Sequence, residues 1–326
     1  MLVTGPNGAG KTNLLESLHV GTQGFSPRTR ADAQLVRFGH EAARVALRGD
    51  RAGVPLDLEV TLELGTGKRA TVNGARLRAA EQLRSEVTTL VFTPDRLVVV
   101  KGGPAARRAY FDRVLGRLAP SRGGLSAEYG AAVGQRNAAL RRVGQGLSSR
   151  EALAPWNEQV AALGAQLVAG RHETVTALQP RFAERAGELG LPEAELRYEG
   201  EPPTVAALED RLERDLERGV TGLGPHLDDI VVASGARDLR SYGSQGAQRL
   251  AVLALLLAEA ELIAERRGFA PLLLLDDVLS ELDPARRRIL AARVQQHGQA
   301  LITATDAAML PAEPNQLVEV DVGTAR

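Results

Sequence analysis

The chain of 326 residues contains no cysteine. That excludes disulfide bonds and thiolate metal ligation, and it fits a cytoplasmic protein. Only three lysines are present, Lys11, Lys68 and Lys101, so arginine supplies nearly all the positive charge. Formal net charge is zero, with 40 basic and 40 acidic residues. A nucleic-acid partner would therefore have to be held by a local basic patch rather than by overall charge. The apolar run Ala251 to Ala258 is too short to span a bilayer, and no membrane partner is expected. Nothing reads as a signal peptide, because structural sequence begins at once. What remains is an ordinary globular composition, 44% hydrophobic and 25% charged.

The scarcity of lysine gives Lys11 its weight. It lies in Gly5-Pro6-Asn7-Gly8-Ala9-Gly10-Lys11-Thr12, the Gly-x4-Gly-Lys-Ser/Thr pattern of a Walker A loop. Glycines permit positive φ, so successive N–H groups can turn inward around phosphates. Lys11 would reach the β and γ phosphates of ATP, and the Thr12 hydroxyl would hold Mg²⁺. Leu2, Val3 and Thr4 read as a buried strand before the loop. A helix over Lys11 to Val20 would aim its positive end at the same anion.

Pro271 to Asp277 is an apolar strand ending in two acids, the Walker B pattern. Asp276 would hold Mg²⁺, and Asp277 would orient or activate the attacking water. Ser244-Gln245-Gly246 opens a helix over Ala247 to Arg267, closed by Gly268. A helix start of this kind suits anion binding and resembles the signature motif of ABC-type ATPases. Leu279-Ser280-Glu281-Leu282-Asp283 follows as their D-loop does. In such heads the signature serves the nucleotide of the opposite subunit, which implies an ATP-dependent homodimer.

Elsewhere, Leu56 to Leu64 alternates as a half-exposed antiparallel strand, and Asn73-Gly74 marks a hairpin turn after Arg69 to Val72. Thr88 to Phe92 reads as a short apolar strand. From Pro104 helix dominates, with breaks at Ser121 to Leu125 and Leu191 to Pro192. The expected fold is α/β, a P-loop ATPase head with a mixed sheet, interrupted by a helical lobe. Its parts are residues 1–103 with Walker A, 104–223 as the lobe, and 224–326 with the signature, Walker B and D-loop.

Further strings narrow the class: Ser26-Pro27-Arg28-Thr29, Leu35-Val36-Arg37-Phe38-Gly39, Phe92-Thr93-Pro94-Asp95, Pro104-Ala105-Ala106-Arg107-Arg108, Gln135-Arg136-Asn137, Gly224-Pro225-His226-Leu227-Asp228-Asp229, and Ile302-Thr303-Ala304-Thr305-Asp306. With both Walker motifs, they resemble the RecF family of DNA repair ATPases, related to the SMC heads, over almost the whole chain. The resemblance implies a cytoplasmic protein of recombinational repair and replication-fork maintenance that binds double-stranded and gapped DNA. ATP would act as a clamp switch, slow DNA-stimulated hydrolysis would release it, and RecO and RecR would join it in loading RecA. The family carries β-strands before the Walker A strand, and here Met1 stands in their place. The expectation is of a chain lacking those strands, with a scaffold of deficient ATPase activity as the alternative. A transporter ATPase subunit leaves the helical lobe unexplained. A P-loop metabolic kinase leaves Ser244-Gln245-Gly246 unexplained.

Arg107, Arg108 and Arg136, with Arg113, Arg117, Arg141 and Arg142, are candidate DNA-phosphate contacts. The competing reading for each is a solvated face or an internal ion pair. His226 with Asp228 and Asp229 is a weaker candidate metal group, for which a structural role is preferred. Trp156 reads as core rather than as a base-stacking platform, and Gln34 is a candidate Q-loop residue.

Overall fold

The structure, a computed structural model, describes residues 1–29, 31–51, 53–65, 67–296, 298–321 and 324–325. In chain order the elements begin with β1 (Leu2–Thr4), α1 (Lys11–Gln23), β2 (Ala42–Arg51), β3 (Val54–Glu63), β4 (Gly67–Val72), β5 (Ala75–Arg76) and β6 (Thr89–Phe92). There follow α2 (Val98–Lys101), α3 (Pro104–Leu118), α4 (Leu125–Gly144), α5 (Ala154–Glu188), β7 (Ala194–Glu199), α6 (Val205–Asp210) and α7 (Leu212–Arg218). The chain continues through β8 (Asp229–Ser234), β9 (Arg237–Asp238), α8 (Leu239–Tyr242) and α9 (Gln245–Arg267). It ends with β10 (Leu272–Leu275), α10 (Pro284–Gln296), β11 (Ala300–Ala304), β12 (Leu317–Asp321) and β13 (Thr324–Ala325).

The chain divides into two compact units, one of Met1–Arg96 with Ile263–Arg326 and one of Leu97–Leu262. In the first, a six-stranded mixed sheet has the order β13-β12-β1-β11-β10-β6. Its four inner pairings are parallel, and β12 pairs antiparallel with β13. β1, β10 and β11 are apolar and almost wholly buried, as parallel strands covered on both faces must be. Leu15 of α1 packs with Val3, Val91, Leu274 and Leu301. Gly24, at positive φ, ends that helix; a β-carbon there would meet the Ala80 carbonyl at 2.4 Å.

A second sheet of this unit, β2-β3-β4-β5, is antiparallel throughout. Its inner face carries Leu58, Val60, Leu62 and Ala70, which pack with Val20 and Leu83. Asn73 and Gly74 both adopt positive φ between β4 and β5, the requirement of a tight two-residue hairpin. The alternation of β2 was not anticipated from the sequence.

The second unit is built on α3, α4 and α5, with Tyr129, Val133, Val160 and Leu167 at its core. β7 follows the break at Leu191–Pro192 and pairs antiparallel with β8, another strand not anticipated. Trp156 is partly exposed rather than core. Arginines act here as internal struts. Arg136 is fully buried; its guanidinium meets Asp215 at 2.7 Å and donates to Asn157 Oδ1 and Thr221 Oγ1. Arg107, also buried, grips Asp229 with two parallel bonds of 2.7 and 2.6 Å, and Arg171 holds Asp112 in the same way.

Candidate functional site

The loop from Gly5 to Gly10 joins the C-terminal end of β1 to the start of α1, where open α/β sheets bind ligands. Gly5, Gly8 and Gly10 have φ of 152°, 83° and 110°. Gly5 is also sterically fixed, since a β-carbon would lie 2.2 Å from the Val320 carbonyl oxygen on β12. No side chain caps α1 at Gly10. The first-turn N–H groups and the helix dipole therefore remain available to an anion. Lys11 folds back along the loop, its Nζ donating to the carbonyls of Gly5 (2.8 Å) and Pro6 (3.0 Å).

Thr12 Oγ1 donates to Asp276 Oδ1 at 3.1 Å. The strand order β1-β11-β10 explains this contact, because β11 alone separates the strand before Thr12 from the strand before Asp276. Thr303 on that intervening strand donates its hydroxyl to Asp276 Oδ1 at 2.8 Å and accepts the Asp277 N–H at 2.9 Å. It therefore fixes both acids. Asp277 has φ of 49°, a left-handed conformation uncommon outside glycine. Its Oδ1 is buried and has no hydrogen-bond partner among the described residues. A buried carboxylate oxygen without a donor is costly, and a strained backbone beside it marks a site under functional constraint.

The oxygen donors of Thr12 and Asp276 suit a hard cation. Mg²⁺ is held by one or two protein oxygens together with phosphates and water. The residues to which the sequence points, Gly5 to Thr12, Asp276 and Asp277, come together in the structure. The role of Thr303, whose only signal was a hydroxyl in an otherwise apolar buried strand, was not anticipated.

Beside the loop, Glu16 of α1 is buried; it accepts from the Ser26 hydroxyl and pairs with Arg28 at 3.3 Å. Ser26 Oγ also accepts the N–H groups of Arg28 and Thr29. Gln34 is exposed and its side-chain oxygen accepts from Thr29 Oγ1 at 2.5 Å.

In the second unit, Ser244 caps α9, its Oγ accepting the Ala247 N–H at 3.1 Å. Ser244, Gln245 and Gly246 are all exposed. The assignment of Arg107 and Arg136 to DNA contacts is corrected, because both are buried in ion pairs and present no surface to a phosphate. Arg108 is half-buried and donates to the Asp228 carbonyl at 2.7 Å, a role inside the unit.

His226 is likewise structural. Its Nε2 meets the Thr221 carbonyl, an acceptor only, so Nε2 carries the proton and Nδ1 accepts from the Tyr129 hydroxyl at 2.8 Å. Burial, with the nearby Arg108 charge, lowers the His226 pKa and favours this neutral form. Among the described residues there is no cluster of three or more metal-ligating side chains. No helix among them is long and apolar enough to cross a membrane.

The family model described as the RecF/RecN/SMC N terminal domain matches residues 1–324. The chain is 40% identical over 327 residues to the DNA replication and repair protein RecF of Anaeromyxobacter dehalogenans (strain 2CP-C), covering 94% of this chain and 86% of that one. It is 36% identical to the protein of the same name from Heliobacterium modesticaldum, covering 93% and 86%. A solved structure of the recombination mediator protein RecF-ATP in the RecFOR pathway superimposes with a TM-score of 0.85 at 27% identity, covering 100% of this chain and 90% of that one. The Smc head domain from Pyrococcus furiosus shares the fold, with a TM-score of 0.58 at 15% identity, covering 100% and 88%.

Proposed function

The chain belongs to the RecF/RecN/SMC N-terminal-domain family, and from that premise we propose that it is an ATP-dependent DNA-binding ATPase of replication and recombinational repair. The observation that carries the reading is the convergence of Thr12, Asp276, Thr303 and Asp277 beside a glycine loop that ends on a helix N-terminus. Its relatives carry the name of a replication and repair protein, and a similar structure is described with ATP.

The backbone N–H groups of Gly8, Gly10, Lys11 and Thr12 bind the phosphates, and Lys11 supplies a positive charge to the outer ones. Thr12 and Asp276 would hold Mg²⁺, which would neutralise phosphate charge. Thr303 keeps Asp276 aimed by donating to it. Asp277 Oδ1 takes a hydrogen bond from the attacking water and orients it for in-line displacement. The exposed Ser244-Gln245-Gly246 end of α9 addresses the triphosphate held by a second copy. ATP therefore joins two heads around DNA, and slow, DNA-stimulated hydrolysis releases them. RecO and RecR are the expected collaborators in loading RecA, and the setting is the cytoplasm. The working division is the head parts 1–103 and 224–326, with 104–223 as the inserted lobe.

Sedimentation of the wild-type chain with and without Mg-ATP tests the reading. A dimer that forms with ATP and is absent in Lys11→Ala supports it. A monomer under both conditions contradicts the sandwiched arrangement.

A further inference from the structure

An open recess of about 290 Å³ lies on the antiparallel sheet of the first unit. Its cationic lining is Lys68 and Arg69 of β4, Arg76 of β5, and Arg78 just beyond it; Ala70, Leu77, Ala79 and Ala80 complete it. The volume corresponds to roughly ten liquid waters, room for a hydrated phosphodiester.

The four cations differ in their commitments. Lys68 is tied to Asp32 at 3.0 Å, and Arg69 is paired with Glu63. Both are ordered by these carboxylates. The guanidinium groups of Arg76 and Arg78 are exposed and carry no hydrogen bond or ion pair among the described residues; only the Arg78 backbone N–H is used, by Gln82. With Asp32 and Glu63 each offsetting one charge, the recess keeps a surplus of two positive charges in a molecule of zero formal net charge.

We propose that this recess binds the phosphate backbone of duplex DNA; the proposal rests on the DNA-binding reading above and locates one of its surfaces. The lining has neither an aromatic ring nor a side-chain amide to read a base edge. It has guanidinium forks, which match phosphate oxygens in pairs. Contacts made in this way to backbone phosphates act by charge and are indifferent to sequence. Because Lys68 and Arg69 are already held, Arg76 and Arg78 supply the new contacts.

The test uses the full chain, a fluorescently labelled duplex, saturating Mg-ATP, and anisotropy titrations at several salt concentrations. Each lost phosphate contact lowers the slope of log affinity against log salt by about 0.9. The double variant Arg76→Ala/Arg78→Ala is expected to lower it by about 1.8, equally for duplexes of unrelated sequence, with ATP binding and thermal melting unchanged. A control double variant, Arg214→Ala/Arg266→Ala, removes two exposed arginines elsewhere and is expected to leave the slope nearly as in wild type. If wild type binds the duplex and the recess variant keeps its affinity and slope, the site assignment is overturned while the function stands. An equal fall in both double variants also overturns it, since the effect is then one of general charge. If wild type does not bind duplex DNA at all, the functional reading fails and the site assignment with it.

Discussion

Substitution of Arg136 by methionine tests whether the arginines of the second unit are struts or DNA contacts. Arg136 and Asp215 are 0% and 1% exposed at the side chain, and their N···O separation is 2.7 Å. Methionine keeps much of the volume but leaves Asp215 with the Gly222 N–H at 3.1 Å and the more distant Arg211. Asn157 Oδ1 and Thr221 Oγ1 also lose their guanidinium donor. Removing one member of a buried pair costs about 3–5 kcal/mol. At a urea dependence of about 2–3 kcal/mol/M, the unfolding midpoint should fall by roughly 1–2 M. Trp156, the sole tryptophan, precedes Asn157 on α5, so its fluorescence reports this unit selectively. The double variant Arg136→Met/Asp215→Leu, with no charge left to strand, should recover much of the loss. An unchanged midpoint, combined with a shallower salt dependence of DNA binding, would refute the strut reading.

Four other outcomes follow from the geometry. Asp277→Asn should bind ATP and dimerise yet hold the dimer on DNA, because the amide no longer orients water as an anion does; normal turnover in a phosphate-release assay would remove Asp277 from that role. Ser244→Asp keeps an N-cap acceptor for α9 but, in the proposed dimer, would place a negative charge against the partner's triphosphate, so ATP-driven dimerisation should vanish while calorimetric ATP binding by the monomer persists. Gly5→Ala should weaken ATP binding at least tenfold, since its β-carbon would collide with the Val320 carbonyl; wild-type affinity by calorimetry would show that the loop tolerates the shift. The last concerns acid. Burial would raise the Asp229 carboxyl, but the Arg107 hydrogen bonds and charge outweigh burial and hold its pKa below the ordinary value. The pair therefore stabilises the fold above about pH 3.9 and loses that contribution as pH falls through the lower folded value. Asp229→Asn should be less stable at neutral pH and show a smaller acid-induced loss in a pH series of melting temperatures.

What the sequence disclosed was governed by local chemistry. Gly5 to Thr12 could be read because the backbone geometry of a phosphate loop demands those residue types at that spacing. Asn73-Gly74 could be read because only such residues take two positive φ values in succession. Leu272–Leu275 declared itself by being apolar throughout. β2 escaped notice because Ala42–Arg51 holds three alanines, a glycine and an aspartate, all poor strand formers, and its conformation rests on pairing with β3. β7 was hidden by charged residues alternating with Ala194 and Leu196 at the end of a helical stretch. The role of Thr303 depends on β11 lying between β1 and β10, a fact of topology that no local pattern carries. The arginines were misjudged for the same reason. Arg136 finds Asp215 79 residues away, and composition cannot separate a strut from a solvated cation.

In the proposed function, nucleotide held at Gly5 to Thr12 controls DNA binding. The most direct test is the affinity for a labelled duplex, measured with and without Mg-ATP in wild type and in Lys11→Ala. ATP should tighten binding by wild type and leave that of Lys11→Ala unchanged. Equal wild-type affinity with and without ATP, or a full ATP response by Lys11→Ala, would contradict it.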